Sequence, residues 1–252
     1  MKTPEFIAHR GYARHFPENT LIGIEAAIIA GARYVEIDVQ LTADRIPVLF
    51  HDDDLYRVTG RAGNINEIDF EQLKSYHAGE SARFGDRYLN EHIPSLAELV
   101  ELLYHRPDIK MFVEIKTESL EKFGIEFVAQ AVMNTISPLD DRCVPISYSD
   151  AVLQHARISG ATAIGWVIKE YDDRSLYIAR NLSPQYLFCN YKKLPPAPAN
   201  LWSGPWMWAL YELTDPVLAL ELVNRGVEMI ETMEIGEMLQ HPLIKGRPYI
   251  DD

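Results

Sequence analysis

Apolar residues along this chain fall into two rhythms. Short, β-rich runs alternate with longer stretches in which apolar residues recur at helical spacing. The runs EFIAH (5–9), YVEIDVQL (34–41), IPVLFH (46–51), MFVEI (111–115), CVPIS (143–147), AIGWVI (163–168), YLFCN (186–190), WMWAL (206–210) and VEMIE (227–231) read as strands. Helical patterns fall between most of them. ENTLIGIEAAIIAGA is capped near Asn19 or Thr20 and closed around Gly31; SLAELVELLYHR, SLEKFGIEFVAQAVMNTI, DAVLQHARISG, DDRSLYIARNL, DPVLALELVNRG and IGEMLQH follow. Repeated strand–helix units imply a parallel sheet. At 252 residues the expected architecture is one closed (β/α)₈ TIM barrel spanning 1–252.

Nine strand runs exceed the eight staves of such a barrel, and the excess lies at 34–51. The TADR between two of them is too short for a parallel crossover, which needs about a dozen residues. A hairpin turning at Thr42–Arg45 is therefore expected, with IPVLFH returning beside strand 2 and Glu36 roughly opposite His51. This makes the extra strand a hairpin excursion after strand 2. Residues 53–94 break the alternation and are rich in charge, Gly and Asn, as a small inserted subdomain over the C-terminal face of the barrel would be. The Pro-rich KKLPPAPANLWSGP (192–205) reads as a second, semi-rigid surface loop.

Charged side chains do not belong inside parallel barrel strands, yet several sit there. Strand 1 ends in His9-Arg10, strand 2 holds Glu36-x-Asp38, the returning strand ends in His51-Asp52, and MFVEI leads into Glu114-x-Lys116. Residues two apart share a face of a strand. Glu36 with Asp38, and Glu114 with Lys116, therefore point the same way, and three carboxylates converge if that way is inward. Like charges at close range need compensation. One divalent cation supplies it, and hard oxygen donors favour magnesium first, with calcium or manganese as alternatives. Arg10 and Lys116 offer positive charge to a phosphate, and His9 and His51 offer an acid and a base from different strands. Together these groups suit phosphodiester cleavage. Asp52 either orients His51 or simply ends the strand.

Charge narrows the partners. A net charge of −13 excludes a general nucleic-acid binder, which needs a basic face, and argues against an anionic membrane surface. No secretory leader and no run near the ~20 apolar residues of a membrane span is visible, so no stable membrane insertion and a cytoplasmic location are expected. Cys143 and Cys189 read as reduced core residues. Oligomeric state is left open.

The stretches IAHRG, PENT, VEIDVQLTADRIPVLFHDDDL with RVTG, and VEIK resemble the glycerophosphodiester phosphodiesterase family; the likeness is dense at the start, returns at IPSLAEL and VEIK, and loosens toward the end. The resemblance implies a (β/α)₈ barrel with a small inserted subdomain. It implies metal ligands at Glu36, Asp38 and Glu114, acid–base histidines at His9 and His51, and phosphate contacts at Arg10 and Lys116. The small-molecule substrate it implies is a glycerophosphodiester, cleaved to sn-glycerol 3-phosphate and an alcohol. The C-terminal strands depart from the family pattern. WALY retains Trp208, a substrate-lining position, but has Tyr211 where Asn is usual, and the last strand carries Glu231-Thr232 rather than Thr-Asp. Glu231 is read equally as a contact to a glycerol hydroxyl or as a solvated strand end. Tyr148, Tyr211 and Trp166 read first as barrel core or rim, with pocket lining the alternative; Glu18 and Asn19 read first as helix-start residues, with pocket contact second; the other histidines carry no chemistry. Two competing readings are a lysophospholipase D on the same barrel and a non-catalytic glycerophosphate binder.

Overall fold

Parity along each strand builds two cores, one on either side of the sheet. The computed structural model describes residues 3–249. Among them nine strands form one sheet: β1 (Glu5–His9), β2 (Tyr34–Leu41), β3 (Pro47–Leu49), β4 (Lys110–Ile115), β5 (Cys143–Ser147), β6 (Gly165–Val167), β7 (Tyr186–Asn190), β8 (Met207–Tyr211) and β9 (Met229–Thr232). β3 runs antiparallel to β2, and the other eight close into a parallel barrel through β1, which pairs with both β2 and β9. Outward residues such as Val35, Ile37, Val113 and Leu187 pack against the surrounding helices. Inward residues such as Ile7, Phe112, Val144, Phe188 and Met229 fill the barrel. Phe112 anchors that plug, edge-on to Tyr186 at 4.9 Å and to Phe188 at 5.1 Å between ring centroids. Water is thus kept from the barrel axis below the mouth.

The helices start where capping chemistry allows. Thr20, and not Asn19, caps Leu21–Ile29 by accepting from the Gly23 N–H, and Ser95 with Glu98 forms a reciprocal capping box for Leu96–Tyr104. The stretch expected as one helix over SLEKFGIEFVAQAVMNTI is two, Thr117–Phe123 and Ile125–Ile136, because Gly124 sits at φ 86° and breaks the hydrogen-bond ladder. Strand ends differ from the sequence reading by a few residues at most, β3 and β6 each spanning three residues where six were expected.

The hairpin turns where the pattern placed it. The Thr42 N–H donates to the Ile46 carbonyl at 3.1 Å, and Arg45 takes φ 67°. The register is one residue off expectation: Val39 faces Leu49, Gln40 faces Val48, and the Phe50 N–H donates to the Asp38 carbonyl at 3.0 Å. His51 therefore follows a residue anchored beside Asp38 rather than lying opposite Glu36. Residues 53–94 leave the barrel just after this point and return at an antiparallel bridge of Val48 with Ser95. They carry their own apolar cluster, with Leu55, Val58, Ile65, Leu73 and Ile93 packed on Val48 and Phe50. Among the described residues no helix is long and apolar enough to cross a membrane.

Gly11 lets the chain turn sharply after His9-Arg10. It holds φ 80°, and a Cβ there would lie 2.8–2.9 Å from the backbone of Gly23 and Ile24. Gly11→Ala is expected to destabilise the protein by about 1–3 kcal/mol. Urea unfolding reads this directly, and an unchanged midpoint would show that the loop yields without cost.

Candidate active site

Every inward residue at the C-terminal end of β1, β2, β4 and β9 is polar. Register sets them side by side: His9 pairs with Glu36 across β1 and β2, and Asp38 pairs with Glu114 across β2 and β4. One cleft at this mouth is lined by His9, Arg10, His51, Glu114, Lys116 and Glu231, with Tyr148, Tyr211 and Glu212 on its other wall.

Carboxylate oxygens of Glu36, Asp38 and Glu114 lie within 4.8 Å of one another. Asp38 takes most of the fixed positive charge. Arg10 Nε stands 3.0 Å and Lys116 Nζ 3.3 Å from its two oxygens, and the Asn19 amide donates to it at 2.9 Å. Burial would raise its pKa, but Arg10 and Lys116 override burial and hold Asp38 well below the usual carboxylate range. Lys116 also donates to Glu114 at 3.0 Å. Glu36 receives only the Arg10 backbone N–H, at 3.1 Å, among the described residues. Burial, then the charges of Asp38 and Glu231, push it well up. Burial likewise raises Glu114 despite Lys116.

His9 is buried on the opposite side of Glu36, its Nε2 3.2 Å from Glu231 Oε1 and 3.8 Å from Glu36 Oε2. Burial first, and Arg10 second, lower His9 to about 3, while burial and Glu114 raise Glu231. Both shifts favour the uncharged forms where His9 meets Glu231. His51 is held differently: its Nδ1 lies 2.6 Å from Asp52 Oδ1, and the Gln40 amide donates to the carbonyl oxygens of His51 at 3.2 Å and Asp52 at 2.5 Å. Asp52 orients His51 and does more than end a strand.

Seven of the residues singled out in the sequence therefore converge: His9, Arg10, Glu36, Asp38, His51, Glu114 and Lys116. Glu231 joins them, buried rather than solvated, and in contact with His9. Trp208 does not. Its neighbours Met207 and Ala209 face inward, so parity turns Trp208 outward, where its indole N–H donates to the Trp202 carbonyl at 3.1 Å and its ring packs on Tyr171 and Trp202. The inward aromatic of β8 is Tyr211, whose hydroxyl meets that of Tyr148 at 3.0 Å. Glu18 and Asn19 are not caps. Asn19, at φ 54°, also accepts from the Asp38 N–H at 3.1 Å, and Glu18 accepts from Arg10 at 3.1 Å and from Arg57. Sequence reasoning passed over Gln40 and Arg57; the only signal for the latter was RVTG, set in a segment that reads as polar surface.

Comparisons with known proteins point to one family and fold. A sequence model of the Glycerophosphoryl diester phosphodiesterase family matches residues 9–158. Glycerophosphodiester phosphodiesterase 1 of Bos taurus is 39% identical over 128 residues, which cover 48% of this chain and 38% of that protein. A glycerophosphodiester phosphodiesterase of Caldanaerobacter subterraneus subsp. tengcongensis is 38% identical over 120 residues, covering 48% of each. The matched stretch thus spans half or less of these relatives' length. Among solved structures, an Oleispira antarctica phosphodiesterase in complex with the product sn-glycerol-3-phosphate is similar over 94% of this chain and 95% of its own, with a TM-score of 0.81 and 27% identity. A glycerophosphodiester phosphodiesterase from Agrobacterium tumefaciens str. C58 shares the fold at a TM-score of 0.70 and 19% identity, over 94% of this chain and 99% of that one.

The donors fit a divalent cation. Three carboxylates face one another, and Glu36 Oε1 is buried with no hydrogen-bond partner among the described residues. Burial favours the protonated form of Glu36 and Glu114 in the cation-free protein, and ligation needs them ionised. Raised carboxyls favour the cation-free fold below their unfolded value of 4.5, and that contribution is lost as pH rises through their higher folded values. Cation binding is therefore expected to release protons and to stabilise the fold more at about pH 8 than at about pH 5. Calorimetric titration with magnesium or manganese in buffers of different ionisation enthalpy measures the release. Binding with no proton release would contradict this account.

Proposed function

The chain belongs to the glycerophosphoryl diester phosphodiesterase family, and on that premise we propose that it hydrolyses glycerophosphodiesters to sn-glycerol 3-phosphate and an alcohol. The observation that carries this reading is the convergence of two histidines, an arginine, a lysine and a carboxylate cluster on one cleft at the barrel mouth. The product found in the Oleispira antarctica structure supports the substrate class. The enclosed part of the cleft is about 130 Å³, below the several hundred that drug-sized ligands occupy, and suits a small polar diester more than a lysophospholipid.

Glu36, Asp38 and Glu114 would hold a divalent cation, magnesium first, which when bound supplies Lewis-acid charge to the phosphoryl oxygens. Arg10 and Lys116 face the phosphate from the same side, the one with a planar fork and the other as a point charge. His9 and His51 reach the cleft from different elements, so they flank the phosphorus. One removes a proton from the attacking oxygen and the other donates a proton to the departing alcohol. Asp52 keeps the His51 proton on Nδ1, which leaves Nε2 for exchange with substrate. Burial keeps His9 uncharged and Glu231 steadies its ring.

His9→Gln and His51→Gln are each expected to lower glycerol 3-phosphate release from glycerophosphocholine by about 10²–10⁴-fold with the fold intact. Turnover near wild type in either variant would remove that histidine from the chemistry. Exhaustive chelation is expected to abolish release, and magnesium, calcium or manganese to restore it; a rate insensitive to chelator would overturn the cation's part.

A further inference from the structure

Four hydrogen bonds converge on one guanidinium that stands outside the carboxylate cluster. Arg57 lies on the Tyr56–Thr59 turn, within the segment that leaves the barrel after Asp52. On one side its Nε donates to Asp52 Oδ2 at 2.6 Å and its Nη2 to Asp52 Oδ1 at 3.1 Å. On the other its Nη1 donates to Glu18 Oε2 at 2.9 Å and its Nη2 to Glu18 Oε1 at 2.6 Å. Each carboxylate then reaches a proposed catalytic or phosphate-binding group: Asp52 Oδ1 lies 2.6 Å from His51 Nδ1, and Glu18 Oε1 accepts from Arg10 Nη1 at 3.1 Å.

We propose that Arg57 is a positioning residue that ties the acid–base His51 to the phosphate-binding Arg10 through Asp52 and Glu18, without touching the substrate. The inference rests on the roles given to His51 and Arg10 in the functional reading above. A guanidinium is the side chain suited to this place, because its planar fork meets two carboxylates bidentately and a lysine ammonium cannot. The effect on Asp52 is direct. Burial would raise its pKa, but the hydrogen bonds from Arg57 and His51 prevail and bring it to about 2. Asp52 remains a carboxylate at neutral pH and holds the His51 proton on Nδ1.

The two ends of this relay have anchors besides Arg57, although Arg57 Nη1 also stands 3.8 Å from Glu80 Oε1. The Glu18 N–H donates to Glu80 Oε2 at 2.8 Å, and buried Glu80 accepts from Arg83 at 2.8 Å. The Tyr88 hydroxyl donates to the His15 carbonyl at 2.9 Å, and Gln40 holds the carbonyls of His51 and Asp52. Loss of Arg57 therefore misaligns the two groups without releasing the segment. Its side chain is 44% exposed, so small solutes reach the position.

Arg57→Lys and Arg57→Ala test this beside the wild type, in steady-state release of glycerol 3-phosphate from glycerophosphocholine, thermal unfolding, and nitrogen NMR of the His51 ring. In both variants kcat is expected to fall on the order of 10- to 100-fold, more than KM rises and with little change in melting temperature. The wild type is expected to show His51 protonated on Nδ1 and Arg57→Ala a mixture of tautomers, and added guanidinium to restore part of kcat in Arg57→Ala. Wild-type kcat with a wild-type tautomer would overturn the proposal. So would a loss of rate that only tracks a loss of folded protein and that guanidinium does not relieve. If the wild type releases no glycerol 3-phosphate, the hydrolase reading fails, and the His51 tautomer still decides for or against Arg57.

Discussion

Glu36, Asp38, Glu114 and Glu231 crowd the mouth of this barrel, and their mutual repulsion is the constraint from which the rest of the site follows. Glu36, Asp38 and Glu231 are buried and Glu114 nearly so, beside two fixed cations, Arg10 and Lys116. Both cations lie against Asp38, which also receives the Asn19 amide, so one carboxylate is fully compensated. The others are pushed toward the protonated state by burial and by each other. The Phe112, Tyr186 and Phe188 plug beneath them makes this unavoidable, because it shuts out the water that would otherwise screen the charges. A fold that served stability alone would place apolar residues here; a divalent cation would resolve the imbalance that this one retains.

Much of this was legible because strand parity is a short-range property. Glu36-x-Asp38 and Glu114-x-Lys116 point inward for the same reason that Val35, Ile37, Val113 and Ile115 point outward, and the hydrophobic pattern alone establishes which side is which. Applied to β8, the same rule would have rejected Trp208. In MWALY, Met207, Ala209 and Tyr211 share a face, and a Trp between them must look to the helices. The resemblance of one residue outweighed a pattern that was available all along. The one-residue slip in the hairpin has another origin: β2 and β3 pair over only three residues, and no buried alternation extends to His51 to fix its partner.

What stayed illegible lies in loops, where side-chain direction has no period. Glu18 and Asn19 precede a helix and look like caps, yet Thr20 takes that role and the left-handed φ of Asn19 turns its amide back toward Asp38. Arg57 and Glu80 belong to a polar stretch that reads as surface, and only the return of that stretch against the β1 loop brings them to Glu18. Such contacts join residues tens of positions apart through irregular backbone. Neither periodicity nor spacing encodes them, and a hydrophilic insertion conceals which of its charges face inward.

The departures at the C-terminal strands are best understood by what they leave untouched. Tyr211 and Glu231 each have a partner beside the cleft. Tyr211 shares a hydrogen bond with Tyr148 across two intervening strands, and Glu231 sets its carboxyl against His9. Burial raises Tyr148, and burial together with Tyr148 raises Tyr211, so these two residues offer hydroxyl groups to the cleft wall. A fourth ionised carboxylate beside Glu36 would add to the repulsion within the cluster. Glu231, its carboxyl pushed up by burial, instead sits against His9 and leaves Arg10 and Lys116 to the carboxylate cluster. Change in this wall can therefore alter the shape and hydrogen bonding offered to substrate without disturbing the electrostatics that the reaction needs.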